Sequence, residues 1–288
     1  VVFNRVASEN HYRFLREAAE DAGVIPLGYI PKTKLLEVPS RHLGLSLREL
    51  QELDVLPEDV AALIEKHVDV DRLLEACMRP RPILPAEEAV PISAPGRKIA
   101  VARDEAFNFI YEENIRTLSL HGEVSFFSPL KDEPLPECDL LYIPGGYPEF
   151  YLSELAQAER TRSSIVAYAA SGGRVLAECG GMMYLCRAIR DEEGKAYPMC
   201  GVLDQEATME GMRLRLGYRK LRLAGCEYRG HEFHYSSIVP QEVGEATVGE
   251  QLTARDEVAP TLLYHRGNVL AGYTHLYFAE QDPFALFD

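Results

Sequence analysis

The 288-residue sequence lacks the features that mark membrane proteins and nucleic-acid-binding proteins. It has no apolar run long enough to cross a bilayer, and it does not open with the pattern of a secretory signal peptide. Basic side chains are few, since 30 Lys and Arg stand against 45 Asp and Glu and give a formal net charge of −15. Because such a surface repels polyanions, we expect neither nucleic acid nor a membrane among the partners.

Cysteine motifs are lacking as well. The six cysteines form no Cys-x-x-Cys pair and no zinc spacing, which favours a reduced, cytoplasmic protein over a disulfide framework. The segment from His231 to His234, HEFH, is one residue short of His-Glu-x-x-His, and on a strand its two histidines would point to opposite faces. We therefore predict no metal site.

Five prolines between residues 80 and 97 divide the sequence into two parts. Such a stretch is typical of an extended linker, and 288 residues are enough for more than one domain. We predict a first domain over residues 1–79, a linker over 80–97 and a second domain over 98–288.

The first part has the pattern of a strand, a helix and a second strand at 1–6, 9–22 and 24–30, followed by helices at 47–51 and 57–77. One strand-helix-strand unit makes a poor sheet because parallel strands need neighbours. We therefore expect that the chain starts inside a fold and that an N-terminal portion precedes it. The basic residues 31–45 are either a solvated connector or a ligand-contacting loop.

The second part alternates strands with helices. Strands are predicted at 98–102, 124–127, 140–143 and 175–177, and a helix at 108–120. This alternation predicts an α/β fold with a doubly wound, mainly parallel sheet that binds ligands at the carboxyl ends of its strands. A Pro-Gly-Gly loop after the strand at 140–143 should share one crevice with the end of the strand at 175–177.

Cys179 is a candidate nucleophile, because it lies between the strand at 175–177 and an amphipathic helix. Ala177 and Gly181 stand two residues before and after it, which is the spacing of a nucleophile elbow. The helix N-terminus would lower the pKa of the thiol and offer an oxyanion site. A buried core cysteine is the alternative, but the glycines favour the elbow, and Cys186 on the same helix is predicted to be the core cysteine.

His275 is the best candidate for a base that would activate this thiol. It lies on a last strand predicted over residues 269–278, whereas most of the other histidines have less suitable contexts. A single histidine on a strand is usually structural, so the prediction depends on the presence of a nucleophilic cysteine elsewhere.

Several motifs give the sequence a family resemblance. They are NRV at 4–6, GYIP at 28–31, RHLGL at 41–45, IPGGYPE at 143–149, AECGGMMYL at 177–185, GHEFHYS at 230–236 and YTHLYF at 273–278. On these motifs the chain resembles the cobyrinic acid a,c-diamide synthase family, a cobalamin-pathway branch of class I glutamine amidotransferases. The second part is similar to that family's flavodoxin-like glutaminase domain. The first part is similar to the C-terminal portion of its P-loop-type α/β synthetase domain.

The resemblance implies glutamine-dependent and ATP-dependent amidation of the a and c carboxylates of cobyrinic acid. Cys179 would form a thioester with glutamine, and His275 would serve as its base. Backbone N–H groups of Gly146 and Gly180 would hold the oxyanion. Glutamine, ATP and a corrinoid carboxylic acid are the implied partners, and a homodimer is left open.

Two departures from the family pattern limit these implications. Most class I amidotransferases carry a glutamate two residues after the catalytic histidine, where this sequence has Tyr277. The sequence also contains no Gly-x-x-x-x-Gly-Lys-Ser/Thr phosphate loop. The complete enzyme would use ATP and Mg²⁺, with Asn4 and Pro31 beside the adenine. This chain alone is expected to hydrolyse glutamine weakly and to amidate nothing.

Two alternatives stay open at this point. One is an amidotransferase for a related acid, such as hydrogenobyrinic acid or nickel-sirohydrochlorin, or a cobyric acid synthase, although the Glu178-Cys179 pair makes the last less suitable. The other is a noncatalytic redox or stress protein with an elbow cysteine, a class that has no use for the first part of the chain or for the strand of His275.

Overall fold

A computed structural model of the protein describes residues 1–33, 56–80, 96–239, 246–278 and 281–287. The chain divides into two compact units, residues 1–88 and 89–288. The division falls within the predicted linker, of which residues 81–95 lie outside the described part, as do most of 31–45 and the predicted helix at 47–51. None of the described helices is both long and apolar enough to cross a membrane.

The first unit has two strands and three helices among its described residues: β1 (Val2–Val6), α1 (Glu9–Asp21), β2 (Gly28–Pro31), α2 (Leu56–His67) and α3 (Val70–Cys77). β1 and β2 pair in parallel. The predicted strand at 24–30 starts too early, since Pro26 has no N–H to give to a ladder and pairing begins at Gly28. The predicted helix at 57–77 is two helices, because the Asp69 carboxylate accepts the Arg72 N–H at 3.0 Å and caps a new one.

The second unit contains the remaining elements. Its strands are β3 (Lys98–Ala102), β4 (Glu123–Phe127), β5 (Leu140–Ile143), β6 (Arg174–Glu178), β7 (Ala188–Arg190), β8 (Ala196–Pro198), β9 (Glu206–Thr208), β10 (Arg215–Leu223), β11 (Cys226–His234), β12 (Ser237–Val239), β13 (Ala246–Thr247), β14 (Glu250–Thr253), β15 (Leu263–Arg266), β16 (Val269–Gly272) and β17 (His275–Tyr277). Its α-helices are α4 (Glu112–His121), α5 (Leu152–Gln157), α6 (Glu159–Ala170) and α7 (Gly180–Leu185).

A seven-stranded sheet forms the centre of this unit, in the order β13-β15-β16-β6-β5-β3-β4. The strands from β16 to β4 are all parallel, and β13 and β15 add an antiparallel edge. This arrangement confirms the predicted α/β fold with a mainly parallel sheet. Adjacent residues of β3, Ile99 and Ala100, are both fully buried, so both faces of the sheet are covered.

Two smaller sheets accompany the central one. The first is antiparallel, in the order β14-β10-β11-β17, and the second has the order β12-β9-β7-β8. The predicted single strand at 269–278 is therefore wrong. It breaks at Tyr273 and Thr274, so that β16 joins the central sheet while β17 joins the antiparallel one.

Two predicted helices also differ from the structure. The helix predicted at 108–120 begins at Glu112, because Phe109 instead forms a bridge to Gly145. The helix after Cys179 ends at Leu185, where Cys186 takes an extended conformation. Cys186 is therefore not on that helix, although it is fully buried in the core as predicted.

Candidate active site

Cys179 stands at the turn between β6 and α7, in a backbone conformation with φ 48° and ψ −107°. Non-glycine residues rarely adopt a positive φ, and such strain is concentrated at functional sites. The following helix starts so close to β5 that a Cβ built on Gly181 would collide with the carbonyl oxygen of Ile143. The turn therefore needs a glycine at this position, which is the physical reason for the elbow spacing in the sequence.

The loop after β5 lies directly against this elbow. A Cβ built on Gly180 would lie 2.7 Å from the Pro148 ring and 3.2 Å from the backbone nitrogen of Gly146. Gly146 itself has φ 158°, and a side chain there would collide with the Ala106 carbonyl. The structure thus brings Gly146 and Gly180, the two predicted oxyanion donors, side by side next to Cys179.

His275 begins β17 and packs against the same loop. Its side chain is buried, with 4 % of the residue exposed, and a Cβ on Gly145 would collide with its ring carbon Cε1. The imidazole stacks on His231 at 5.0 Å between centroids and meets the edge of Phe109 at 4.5 Å. The predicted base therefore shares the Pro-Gly-Gly loop with the nucleophile elbow.

The thiol and the imidazole are not hydrogen-bonded to each other in the described part of the chain. The Cys179 sulfur lies 3.9 Å from the carbonyl oxygen of Phe233, and Nδ1 of His275 has no hydrogen-bond partner among the described residues. In free enzymes catalytic hydrogen bonds are often long and tighten only when substrate binds. The predicted nucleophile and the predicted base thus lie at the same Pro-Gly-Gly loop without a hydrogen bond between them.

The expectation that the helix lowers the pKa of the thiol is wrong. Burial raises the pKa of Cys179 well above its usual range, and the nearby Glu149 carboxyl adds to this, while a hydrogen bond from the Gly180 N–H opposes it. Since α7 has only six residues, its N-terminus cannot offset the loss of water around the sulfur. The Cys179 thiol is therefore neutral at rest and would need a base before it could act as a nucleophile.

His275 is suited to that task by its own protonation state. Burial lowers the pKa of its imidazole to about 3, and the neighbouring His231 and His234 act in the same direction, whereas Glu232 opposes them. A neutral imidazole at pH 7 accepts a proton. At pH 7 the His275 imidazole is therefore neutral and open to a proton, while the Cys179 thiol holds one.

Comparison with known families shows which family the chain belongs to. The CobB/CobQ-like glutamine amidotransferase domain matches residues 98–283, which include the elbow, the Pro-Gly-Gly loop and His275. The chain belongs to this family.

The family's curated members include several proteins similar to this chain over most of its length. A cobyrinate a,c-diamide synthase of Saccharolobus solfataricus is 35% identical over 97% of this chain and 65% of its own length. A hydrogenobyrinate a,c-diamide synthase of Brucella anthropi is 38% identical over 96% of this chain and 65% of its own length. A cobyrinate a,c-diamide synthase of Caldanaerobacter subterraneus is 41% identical over 83% of this chain and 55% of its own length. The chain thus spans about two thirds or less of the length of these relatives.

Solved structures are more distant from this family member. PurLQS from Thermotoga maritima is 16% identical, with a TM-score of 0.44, and the match covers 62% of this chain and 87% of that one. A glutamine amidotransferase is 19% identical, with the same TM-score of 0.44, over 62% of this chain and 89% of that one.

Tyr277 occupies the position where most class I amidotransferases have a glutamate. It is 40% exposed and meets Tyr111 edge to face, with centroids 5.5 Å apart. The Tyr111 hydroxyl lies 2.6 Å from Nδ1 of His231, which stacks on His275. In this family member an aromatic and histidine cluster therefore takes the place of a carboxylate behind the base.

Glu232 and His234 form a separate buried pair at the end of β11. Nε2 of His234 lies 2.7 Å from the Glu232 carboxylate, which also binds Arg219 and Thr261. Hydrogen bonds from His234 and Thr261 and the charge of Arg219 lower the pKa of Glu232 to about 2, although burial alone would raise it. Among the described residues no group of three His, Cys, Asp or Glu side chains is placed to hold a metal ion.

Asn4 and Pro31, the residues predicted to flank adenine, lie in the first unit. Val6 pairs with Pro31, so both predicted residues belong to the neighbouring parallel strands β1 and β2. The Asn4 side chain is exposed, and its amide oxygen accepts the Arg5 N–H at 2.9 Å. Their role at adenine stays a prediction.

Sequence reasoning missed three residues that surround the pair. Phe109 and His231 pack on the base, and Glu149 raises the pKa of the nucleophile. Burial also raises the pKa of Glu149 itself to about 7. Glu149 and His231 lie within the motifs IPGGYPE and GHEFHYS, but neither motif indicates which side chain they contact, and Phe109 gave no signal in the sequence.

Proposed function

We propose that this chain supplies the glutaminase activity of a glutamine-dependent corrinoid amidotransferase. The observation that carries the proposal is the placement of Cys179, Gly146, Gly180 and His275 around one loop at the carboxyl ends of β5 and β6. The proposed product is ammonia, which would amidate the a and c carboxylates of cobyrinic acid in cobalamin biosynthesis. The names of the relatives support a corrin acid as the acceptor, because they include both cobyrinate and hydrogenobyrinate a,c-diamide synthases.

The proposed chemistry starts with transfer of the Cys179 proton to His275. The sulfur then attacks the side-chain amide carbon of glutamine, and the N–H groups of Gly146 and Gly180 hold the oxyanion, each contributing about 3 to 4 kcal/mol. The His275 imidazolium returns its proton to the departing nitrogen, which leaves as ammonia. A thioester between Cys179 and the glutamyl group remains. Water, deprotonated by the same imidazole, hydrolyses the thioester to glutamate.

ATP and Mg²⁺ are proposed for the complete enzyme, where they would activate the acceptor carboxylate. In this chain the residues fit only the base of a nucleotide, since Asn4 offers an exposed amide whereas the phosphate-loop motif is absent from the sequence. No step is therefore assigned to ATP here. None of the six cysteines, all in the described part of the chain, forms a disulfide, which supports a cytoplasmic setting, and a homodimer is left open.

Glutamate release from glutamine tests the proposal directly. Cys179→Ala keeps the Cβ and the backbone and removes only the sulfur, so it should abolish glutamate release while the protein stays folded. Cys186→Ala is the matched control, because Cys186 is an equally buried cysteine that donates to Met182 and lies in the core. Glutamate release at the wild-type rate by Cys179→Ala would refute the nucleophile.

A second assay identifies the acceptor. The full-length enzyme is supplied with glutamine, ATP and Mg²⁺ and with cobyrinic acid, hydrogenobyrinic acid or nickel-sirohydrochlorin in turn, and the products are analysed by mass spectrometry. Diamide formed from a corrin acid supports the proposal. Amidation of nickel-sirohydrochlorin alone would instead support the alternative of an amidotransferase for a related acid.

A further inference from the structure

Glu178, the last residue of β6, is a buried carboxyl directly before the nucleophile. Only 2% of the residue is exposed. Its Oε2 accepts a hydrogen bond from the Tyr142 hydroxyl at 2.8 Å, and its Oε1 accepts the backbone N–H of Leu276 at 3.0 Å. Leu276 directly follows His275, so this one side chain joins the residue before the nucleophile to the residue after the base.

The backbone after His275 is held from a second side as well. On α4, the Asn114 side chain donates to the Leu276 carbonyl at 2.7 Å and accepts the Phe278 N–H at 2.9 Å. Residues 275–277 form a three-residue strand that pairs with β11, and these side-chain bonds hold it in addition to that pairing. Of the two, only Glu178 comes from the strand that carries the nucleophile.

Among the described residues, no hydrogen bond that joins the His275 imidazole itself to the elbow is present. Nδ1 of His275 has no partner there, and Tyr277 cannot orient the ring as a glutamate would. The ring direction is set by packing against Phe109 and His231 and by the position of the backbone that carries it. A displacement of about 1 Å in such a pair is enough to cost roughly 10²-fold in rate.

We propose that Glu178 is a positioning residue for glutamine hydrolysis, which holds the start of β17 against the end of β6 so that His275 faces Cys179. This inference rests on the proposed glutaminase function. Burial raises the pKa of Glu178 to about 8, so the side chain is mainly a neutral acid at pH 7. In that form Oε1 still accepts the Leu276 N–H. Oε2 stays within hydrogen-bond distance of the Tyr142 hydroxyl.

Three substitutions at this position distinguish the hydrogen bond to Leu276 from the volume that the buried side chain fills. Glu178→Gln keeps an oxygen acceptor at the same distance and places an N–H₂ group toward Tyr142. Glu178→Asp keeps the acid but withdraws it by one carbon–carbon bond, roughly 1.5 Å. Glu178→Met fills a similar volume without an acceptor and serves the same purpose if the aspartate variant does not fold.

The measurement is steady-state glutamate release by the 288-residue chain, with kcat and KM determined separately and kcat referred to the concentration of alkylatable Cys179. We expect Glu178→Gln to keep kcat within about threefold of wild type. Glu178→Asp and Glu178→Met should lose roughly 10- to 100-fold in kcat, with KM for glutamine nearly unchanged, because the bond positions the base and not the substrate.

If Glu178 only stabilised the fold, its substitution would lower the melting temperature without changing kcat per active site. The inference is overturned if the aspartate or methionine variant keeps the wild-type kcat, or if the glutamine variant loses as much as they do. Cys179→Ala is assayed in parallel. If it is inactive while Glu178→Asp is fully active, only the positioning role fails; if it is active, the proposed glutaminase fails first.

Discussion

At the residue scale, the site combines a neutral thiol with a neutral imidazole. Burial raises the pKa of Cys179 and lowers the pKa of His275 to about 3, so neither group is charged at pH 7. An isolated charge is costly in a buried site, whereas a proton passed over a short distance creates both charges only when substrate is present to stabilise them. Such a site avoids a permanently reactive thiolate.

Replacement of the base is the sharpest residue-level prediction. His275→Asn should slow glutamate release by about 10²- to 10⁴-fold, the range for loss of a general base. His234→Asn should do less, because the His234 ring is already engaged by Glu232 and by the Ser236 carbonyl. Initial rates at saturating glutamine provide the comparison, and a larger loss at His234 would move the role of base there.

Glu178 also predicts a pH dependence of stability. Its pKa is raised to about 8 in the folded protein, so the native state holds the proton more tightly than the unfolded chain does. The resulting stabilisation is complete below the unfolded pKa of about 4.3 and is lost as the pH rises through 8. The melting temperature of wild type relative to Glu178→Gln should therefore fall as the pH rises from about 4 to about 8 and change little above that.

Glu232 is the matched control for this pH series, because its pKa is shifted to about 2, in the opposite direction. Its stabilisation is present above the unfolded pKa and is lost as the pH falls toward 2. Wild type relative to Glu232→Gln should lose melting temperature on acidification instead. Parallel pH profiles for the two pairs would contradict both assignments.

At the element scale, the loop between β5 and α5 determines how closely the base approaches the elbow. Gly145 has no side chain, and a Cβ there would collide with Cε1 of His275 and lie 2.8 Å from its Nδ1. The loop backbone therefore forms one wall of the imidazole site. Its glycines serve close approach and not only turn formation.

Gly145→Ala should accordingly reduce activity by displacing the imidazole. We expect a loss of at least about tenfold in kcat for glutamate release, with the protein still folded. Gly172→Ala is the control, since Gly172 has φ 87° at the opposite end of β6 and open space around it. It should lower the melting temperature and leave kcat unchanged; equal losses of kcat in both variants would argue against the collision.

Some elements were predictable from the sequence and others were not. β3 and β5 have the predicted limits, because each is a short apolar run with polar or turn residues at its ends. The break between β16 and β17 was not predictable, since β-branched and aromatic residues continue through Tyr273 and Thr274. Only pairing with the distant strand β11 separates the two.

The same distinction applies to the site. Local spacing is enough to predict Cys179, because the glycines after it are required by the turn itself. The protonation of its thiol depends on burial and on the charge of Glu149, and neither can be read from the local spacing. Helix position was therefore a poor guide to the pKa of this cysteine.

At the scale of the whole molecule, the two units differ in how much core each contains. Among the described residues, the first unit buries Val6, Ala19, Leu27, Tyr29 and Val68, and α3 buries none of its side chains. In the central sheet of the second unit, by contrast, β5 is buried throughout and β3 is buried from Ile99 to Ala102. Local opening needs least free energy where few apolar contacts are broken.

Amide hydrogen exchange should show this difference. We expect the backbone amides of α3 and β2 to exchange orders of magnitude faster than those of β3, β5 and β6. The exchange is measured by mass spectrometry of the peptides. The peptides of β5 provide the internal reference for a fully protected strand. Comparable protection in both units would mean that the described core of the first unit underestimates its stability.

The passage of the chain from β16 to β17 places the predicted nucleophile and the predicted base on two different sheets. Cys179 follows a strand of the central sheet, while His275 belongs to the antiparallel one. We expect a small displacement of one sheet relative to the other to separate the sulfur from the imidazole. Such a displacement would leave the circular dichroism spectrum unchanged. Glutamate release should therefore fail at lower urea concentrations than the backbone signal does, and enzyme turnover becomes the most sensitive gauge of strain between the two sheets.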